Sequence, residues 1–409
     1  MKIIIVTAYG GWGSTGKIAD GIASTAKQAN HEVWLAYGFF NSSFENCLKI
    51  KTGAKFSNFY EVFRTRITGY MGFTSNRATQ KLKNWIINNN PDVINLHNLH
   101  GGYLHIEKLM EFLKSSGIPI IWTLHDCWSF TGHCAHFQIA NCNRWKTGCF
   151  DCPDCKRKES YPISYFFDRS SEQYMRKKVA FSDVPNLTIV TPSQWLADLV
   201  KESFLKEYPV KVIHNGIDLE IFKPSPSDFR EKHGIPAEKS MLLGVAFGWG
   251  KRKGLDVFVE LARRLDPEKY QIVLVGTDEK TDKLLPENII SIHRTQNQAE
   301  LAQIYTAADL FVNPTREEVL GLVNIEALAC GTPVVTFNTG GSPECIDESC
   351  GSVVPCDDIN ALEREIIRIC TEKPYSQADC LEHAKSFDMN ERFQEYVDLY
   401  ESITKKHES

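Results

Sequence analysis

Short apolar runs alternate along the chain with stretches whose apolar residues recur at helical spacing. "KIIIVTA", "EVWLAYG", "DVINLH", "IPIIWTLHD" and "NLTIVTPS" form a first set; "MLLGVAF", "YQIVLVG", "NIISIH", "ADLFVNP", "TPVVTF" and "GSVVP" form a second. The runs are continuous rather than alternating, as in parallel strands buried on both faces by helices. Two doubly wound α/β domains in tandem are therefore predicted, the first over 1–192 and the second over 193–385. The switch lies between Pro192 and Pro226, where Ser193 is a plausible N-cap for "QWLADLV" and "VKVIHNGIDLEIFKPSP" crosses over. The last segment, 386–409, is predicted to be a terminal helix, amphipathic from Met389 to Ile403, folding back toward the first domain. Two such sheets facing each other across a cleft would bind a ligand at their strand C-termini.

Composition narrows the class. With 409 residues, two domains are expected; 43% hydrophobic and 24% charged residues are values of a globular protein. A net charge of −5 argues against nucleic acid as a partner. No apolar run is long enough to span a bilayer, and "IIIV" is too short for the core of an export signal. A cytoplasmic, reduced protein is expected despite thirteen cysteines.

The first strand runs into "GGWGSTGKI". Gly11, Gly13 and Gly16 fit a dinucleotide fingerprint, but "EVWLAYGFF" ends without the acid that would hold a ribose. Gly11 to Lys17 also fit a P-loop, but Ile18 stands where a magnesium-binding hydroxyl belongs. What remains is a strand-to-helix turn whose exposed N–H groups suit an anion, or a tight turn that binds nothing.

The second half carries a sharper pattern. In "NPTREEVLGLVNIEALACGTPVV", Glu318 precedes and Glu326 lies within a helix that begins at Gly321 and Leu322 and closes at Gly331. Free N–H groups at Gly321, Leu322 and Val323 suit phosphates, with one carboxylate for ribose hydroxyls and the other for a sugar. Lys251, Arg252 and Lys253 in "GWGKRKGLD" sit on another strand-to-helix loop, placed to neutralise a diphosphate.

Together, "HNGID", Lys253–Gly254, the Glu318/Glu326 pair and "EALACGTPVV" resemble retaining glycosyltransferases of the GT-B fold, family 4. The resemblance covers essentially the whole chain and is strongest from Thr191 to Glu344. It implies that Lys253 holds the donor diphosphate, that Glu326 binds the ribose and that Glu318 lies near the donor sugar. Gly11 to Gly16 would lie beside the donor phosphates, and His125 in "TLHD" by the transferred sugar; His97, His100 and Asp126 are assigned to the acceptor side. The chain departs from the family at Phe247 and Gly248, where an arginine is usual; Arg252 or Lys251 is expected to stand in.

The implied activity is transfer of a sugar from a nucleotide-diphosphate sugar to a saccharide or lipid-linked acceptor in polysaccharide biosynthesis. The alternatives are a nucleotide-sugar epimerase of the same fold and a non-catalytic sugar-nucleotide-binding protein. No catalytic metal is expected. Between Cys127 and Cys155 the spacing lets four thiolates share a structural zinc ion: Cys134, Cys142, Cys149 and Cys152 are chosen, with Cys155 as the alternative ligand and separately placed free thiols as the competing reading. Such inserts resemble those of a family subset acting in exopolysaccharide and colanic-acid-type synthesis. Finally, basic residues from Lys55 to Lys83, interleaved with Phe56, Phe59, Phe63 and Trp85, fit either peripheral contact with the inner membrane face or helices packing aromatics inward.

Overall fold

Seven parallel strands build the first sheet of the computed structural model, which describes residues 1–50, 63–152 and 162–408. They are β1 (Lys2–Tyr9), β2 (Glu32–Phe39), β3 (Cys47–Lys49), β4 (Val93–Leu96), β5 (Ile120–Thr123), β6 (Leu187–Thr191) and β7 (Val210–Val212), in the order β3-β2-β1-β4-β5-β6-β7. Ile3, Ile4, Ile5 and Val6 are all fully buried, which explains the unbroken apolar run: both faces of the central strand are covered. The order reverses between β1 and β4, where Val6 pairs with Leu96. Backbone leaving these two strands therefore diverges and opens a crevice at their C-terminal ends.

The second sheet repeats this plan with β8 (Ser240–Val245), β9 (Tyr270–Val275), β10 (Ile289–Ile292), β11 (Leu310–Asn313), β12 (Val334–Phe337) and β13 (Gly351–Val354), in the order β10-β9-β8-β11-β12-β13. Its apolar side chains sort by alternation. Met241 and Leu243 join one core with Phe311, Tyr305 and Ile325, while Leu242 joins another with Val312, Val335 and Phe258. The switch point lies between β8 and β11.

Residues 1–214 with 392–409 form one compact unit and 215–391 the other. This corrects the expected limits at 192/193 and 385/386. "VKV" is too short to register as a strand, yet Val210–Val212 pairs with Ile189–Thr191 and keeps the segment after Pro192 with the first sheet. Ser193 does cap the helix Gln194–Glu202, accepting from the Leu196 N–H. At the other end, Ile217 donates to Phe387 O (2.9 Å) and Met389 donates to Ile217 O (3.0 Å), which holds the chain through Met389 on the second unit.

From Arg392 the terminal helix Met389–Glu408 belongs to the first unit. Phe393 packs on Gly21, and the fully buried Tyr400 hydroxyl accepts from Asn95 Nδ2 at 2.7 Å. Asn95 Oδ1 in turn accepts from Thr123 at 3.2 Å, so one buried amide ties β4, β5 and the helix. Tyr400→Phe leaves that amide N–H without its partner. A loss of about 1–2 kcal/mol is expected in urea unfolding of the full chain, with little change in m.

Candidate functional site

The loops at both switch points carry the residues singled out in the sequence. In the first unit, Gly10–Trp12 turn from β1 into the helix Gly13–Gln28. Gly11 holds φ +62°, a left-handed turn that a side chain would strain, and a Cβ there would press on Asp20 Oδ2. Asp20, on the helix and not at the end of β2, accepts from Ser42 Oγ (2.8 Å) and from the Gly11 N–H, and burial raises its pKa. It therefore pins the turn from beneath. Beside the turn Trp12 and Phe40, each about half exposed (46% and 52%), stack at 4.6 Å between ring centroids.

The ends of β4 and β5 bring a second group together. His97 Nδ1 and His125 Nε2 lie 2.9 Å apart, so one ring donates and the other accepts. His100 Nε2 lies 2.8 Å from Asp126 Oδ2, and Asp126 Oδ1 accepts from the Trp128 N–H. Burial pushes His125 down to about 4 and His97 well below its ordinary value, so this imidazole pair is neutral near pH 7. Asp126 is held at about 2: burial opposes its ionisation, and the charge and hydrogen bond of His100 with the Trp128 N–H outweigh it.

In the second unit, Lys251–Lys253 form a single 3-10 turn after β8, and Glu318 follows β11. Lys253 Nζ donates to Glu318 Oε2 at 2.6 Å, with about a fifth of each side chain exposed. Gly340, at φ +57°, packs its α-carbon so closely that an added Cβ would run into the Glu318 carbonyl oxygen. The helix Leu322–Ala329 starts after Gly321 as expected, and Glu326, partly buried on it, accepts from the Tyr305 hydroxyl at 3.0 Å. The two carboxylates thus have different partners: Glu318 a cation, Glu326 a phenol.

Sequence reasoning missed Arg316. Its guanidinium takes Asp256 in a fork (2.7 and 2.8 Å), Asp357 at 2.6 Å and the Lys251 carbonyl at 2.5 Å, while its backbone N–H donates to Arg252 O. It fastens the basic turn to the Glu318 loop. The signal available was an arginine beside "EE" at a strand end, which reads equally well as solvated surface. Phe247 is 93% exposed, so the arginine usual in that loop has no apolar structural replacement; Lys251 and Arg252 are exposed.

Cys134, Cys142, Cys149 and Cys152 line one small cavity, walled by the buried Trp145 and by His133. The Gly132 N–H donates to Cys149 Sγ at 3.0 Å. Burial pushes the Cys149 thiol up to about 12, with Cys152 and Cys142 adding to the shift. Cys155 lies outside the described residues, as do Lys55, Phe56 and Phe59 of the basic stretch. Within that stretch the helix Asn76–Asn89 puts Trp85 against Trp34, Lys81 on the Lys49 carbonyl and Lys83 over the Phe112 ring. Among the described residues no helix is long and apolar enough to cross a membrane.

Apart from the glycine turn, which precedes residue 17, these sites fall within two matches to known sequence families. A model of glycosyltransferase family 4 matches residues 17–221, and one of glycosyl transferases group 1 matches residues 240–372. The chain is 24% identical over 364 residues to the putative colanic acid biosynthesis glycosyl transferase WcaC of Escherichia coli (strain K12), covering 85% of this chain and 81% of that one. It is 30% identical over 217 residues to D-inositol 3-phosphate glycosyltransferase 1 of Catenulispora acidiphila, where the match covers 47% of this chain and spans about half (51%) of the relative. Among solved structures, sucrose-phosphate synthase from Thermosynechococcus elongatus superposes with a TM-score of 0.73 at 17% identity, over 98% of both chains. HepE of Anabaena in complex with UDP gives 0.68 at 16% identity, over 98% of this chain and 100% of that one. The structural likeness fixes the fold as GT-B, a pair of Rossmann-like domains. With the family 4 model laid over more than half its residues and the group 1 model over the second sheet, the chain belongs to glycosyltransferase family 4.

Proposed function

We propose that this glycosyltransferase moves a sugar from a nucleotide-diphosphate donor to a saccharide or lipid-linked acceptor in polysaccharide biosynthesis, with retention at the anomeric carbon. The observation that carries the reading is the Lys253–Glu318 pair at the switch point of the second sheet. Breaking the sugar–phosphate bond builds negative charge on the leaving diphosphate and positive charge on the anomeric carbon. In this reading Lys253, assisted by Lys251 and Arg252 on the same turn, and the N–H groups at Gly321, Leu322 and Val323 at the helix start stabilise the first charge. A phosphate that takes Lys253 releases Glu318, whose carboxylate then faces the donor sugar. Glu326, oriented by Tyr305, is assigned to the ribose.

From the first unit, Gly11, Gly13 and Gly16 are assigned to the donor-phosphate side, and neutral His125 to a hydroxyl of the transferred sugar. His97, His100 and Asp126 are assigned to the acceptor. No carboxylate pair of the hydrolase type figures in this scheme, and attack on the face of the leaving phosphate accounts for retention. The likeness to WcaC supports polysaccharide synthesis as the setting. For the cysteine cavity the reading is a structural zinc ion: four sulfurs line it and a backbone N–H donates to one of them, but no three of the four lie mutually within 4.8 Å, so binding would have to draw them together.

Lys253→Ala and Glu318→Gln are each expected to lower acceptor-dependent release of nucleotide by roughly 10²–10³-fold while the circular dichroism spectrum stays unchanged. Near-wild-type turnover in either overturns the assignment, and conversion of a sugar nucleotide without acceptor would favour the epimerase. For the cysteine cavity, elemental analysis should find that Cys149→Ser and Cys142→Ser each hold one zinc fewer per chain than the parent; equal contents in folded protein would refute the zinc reading.

A further inference from the structure

Three metal-ligating side chains of different kinds meet in the second unit, away from the cysteine-rich insert. Asp347 and Cys350 are spaced D-x-x-C in the turn before β13, and His383 lies on the helix Gln377–Ala384. One donor atom from each lies within 4.8 Å of the other two. His383 Nδ1 is 2.9 Å from Asp347 Oδ2, and Cys350 Sγ is 3.6 Å from Asp347 Oδ1. A tetrahedral ion bound at about 2.0 Å to N and O and about 2.3 Å to S has ligand–ligand edges of roughly 3.3–3.6 Å. Small side-chain rotations therefore suffice to close the site.

Each ligand also has the outer partner that bound ligands usually have. His383 Nε2 donates to the Cys345 carbonyl at 3.1 Å, and because a carbonyl only accepts, this fixes the proton on Nε2. Nδ1 then faces a carboxylate oxygen, an arrangement that needs a cation, either a proton or a metal ion, between two acceptors. Asp347 Oδ1 accepts from both the N–H and the hydroxyl of Ser349 (2.8 and 2.6 Å), and Cys350 Sγ accepts from the Asp347 N–H at 3.4 Å. Cys350 is buried, whereas the Asp347 side chain is 54% exposed, so the site opens to solvent on one side.

We propose that Asp347, Cys350 and His383 bind a zinc-class divalent cation, with water completing its coordination. Mixed S, N and O donors favour a borderline ion over magnesium or calcium. Uptake replaces the Cys350 S–H bond with a sulfur–metal bond and releases the proton to solvent. The site is separate from the family's matched residues on one side, since His383 lies beyond residue 372. It nonetheless touches the frame of Glu318. Cys345, whose carbonyl accepts from His383 Nε2, donates its thiol to the Leu320 carbonyl at 2.6 Å and ends the turn Ser342–Cys345 that follows Gly340. An occupied site would stiffen that turn from behind.

The test uses the full chain, stripped with a chelator, dialysed against Zn²⁺ or Co²⁺ and freed of excess ion. Asp347→Asn at an exposed position and His383→Gln should each bind one equivalent fewer than the parent and lose the part of the zinc-dependent rise in Tm that Cys149→Ser retains. Cys350→Ser should remove one equivalent of the thiolate-to-cobalt absorption. Equal metal content in the parent and in folded Asp347→Asn and His383→Gln overturns the proposal, whatever the variants' transferase activity, and the zinc reading of the insert is judged separately by its own cysteine variants.

Discussion

The second unit is organised around holding one cation and one carboxylate together at the edge of solvent. Lys253 and Glu318 come from loops after β8 and β11, neighbouring parallel strands that the chain visits far apart in sequence. An exposed pair of this kind would be weak, because water screens it and each long side chain loses freedom. Here about four-fifths of each side chain is covered, and the loops themselves are tied. Arg316 bonds the Lys251–Lys253 turn through two carbonyls, and Gly340 lets another loop lie directly on the Glu318 backbone. The pair is preorganised by its frame rather than by its own attraction.

The same topology accounts for where the other candidates lie. In each sheet the strand order reverses next to the first strand, so successive loops part and leave backbone N–H groups uncovered there. The glycine turn and the His97–His125 pair occupy that place in the first unit, as Lys253 and Glu318 do in the second. Burial acts differently on the two. It keeps the imidazoles neutral, whereas Lys253 and Glu318 each face an opposite charge.

Most of the fold was legible because parallel strands are written as unbroken apolar runs, and eleven such segments name strands that form. β3 and β7 escaped because "CLK" and "VKV" carry too few apolar residues at a sheet edge, and missing β7 moved the domain limit to 192 instead of 214. Of the candidate site, Lys253 and Glu318 were picked out by charge and loop position, and Gly321 and Glu326 by the predicted helix. Asp20, Arg316 and Tyr305 were not. Each acts on another residue through a contact outside the local pattern: Asp20 on Gly11 through its backbone N–H, Arg316 on Lys251, Tyr305 on Glu326. Periodicity reports which face of an element is buried, not which buried polar groups meet.

Arg316 also bears on the arginine that the chain lacks near Phe247. A guanidinium close to the basic turn looks like a substitute for it, but its donors are already committed to Asp256, Asp357 and a carbonyl. Swinging it toward a phosphate would strand two carboxylates beside another anion, and loosen the turn it fastens. Two aspartates around one arginine also leave the cluster with no positive charge to offer. On the proposed reading, attraction for a diphosphate in this unit rests on Lys251, Arg252 and Lys253, and of these, among the described residues, Lys253 is the one held by a carboxylate. The structural arginine sets where the lysine stands; the lysine carries the charge.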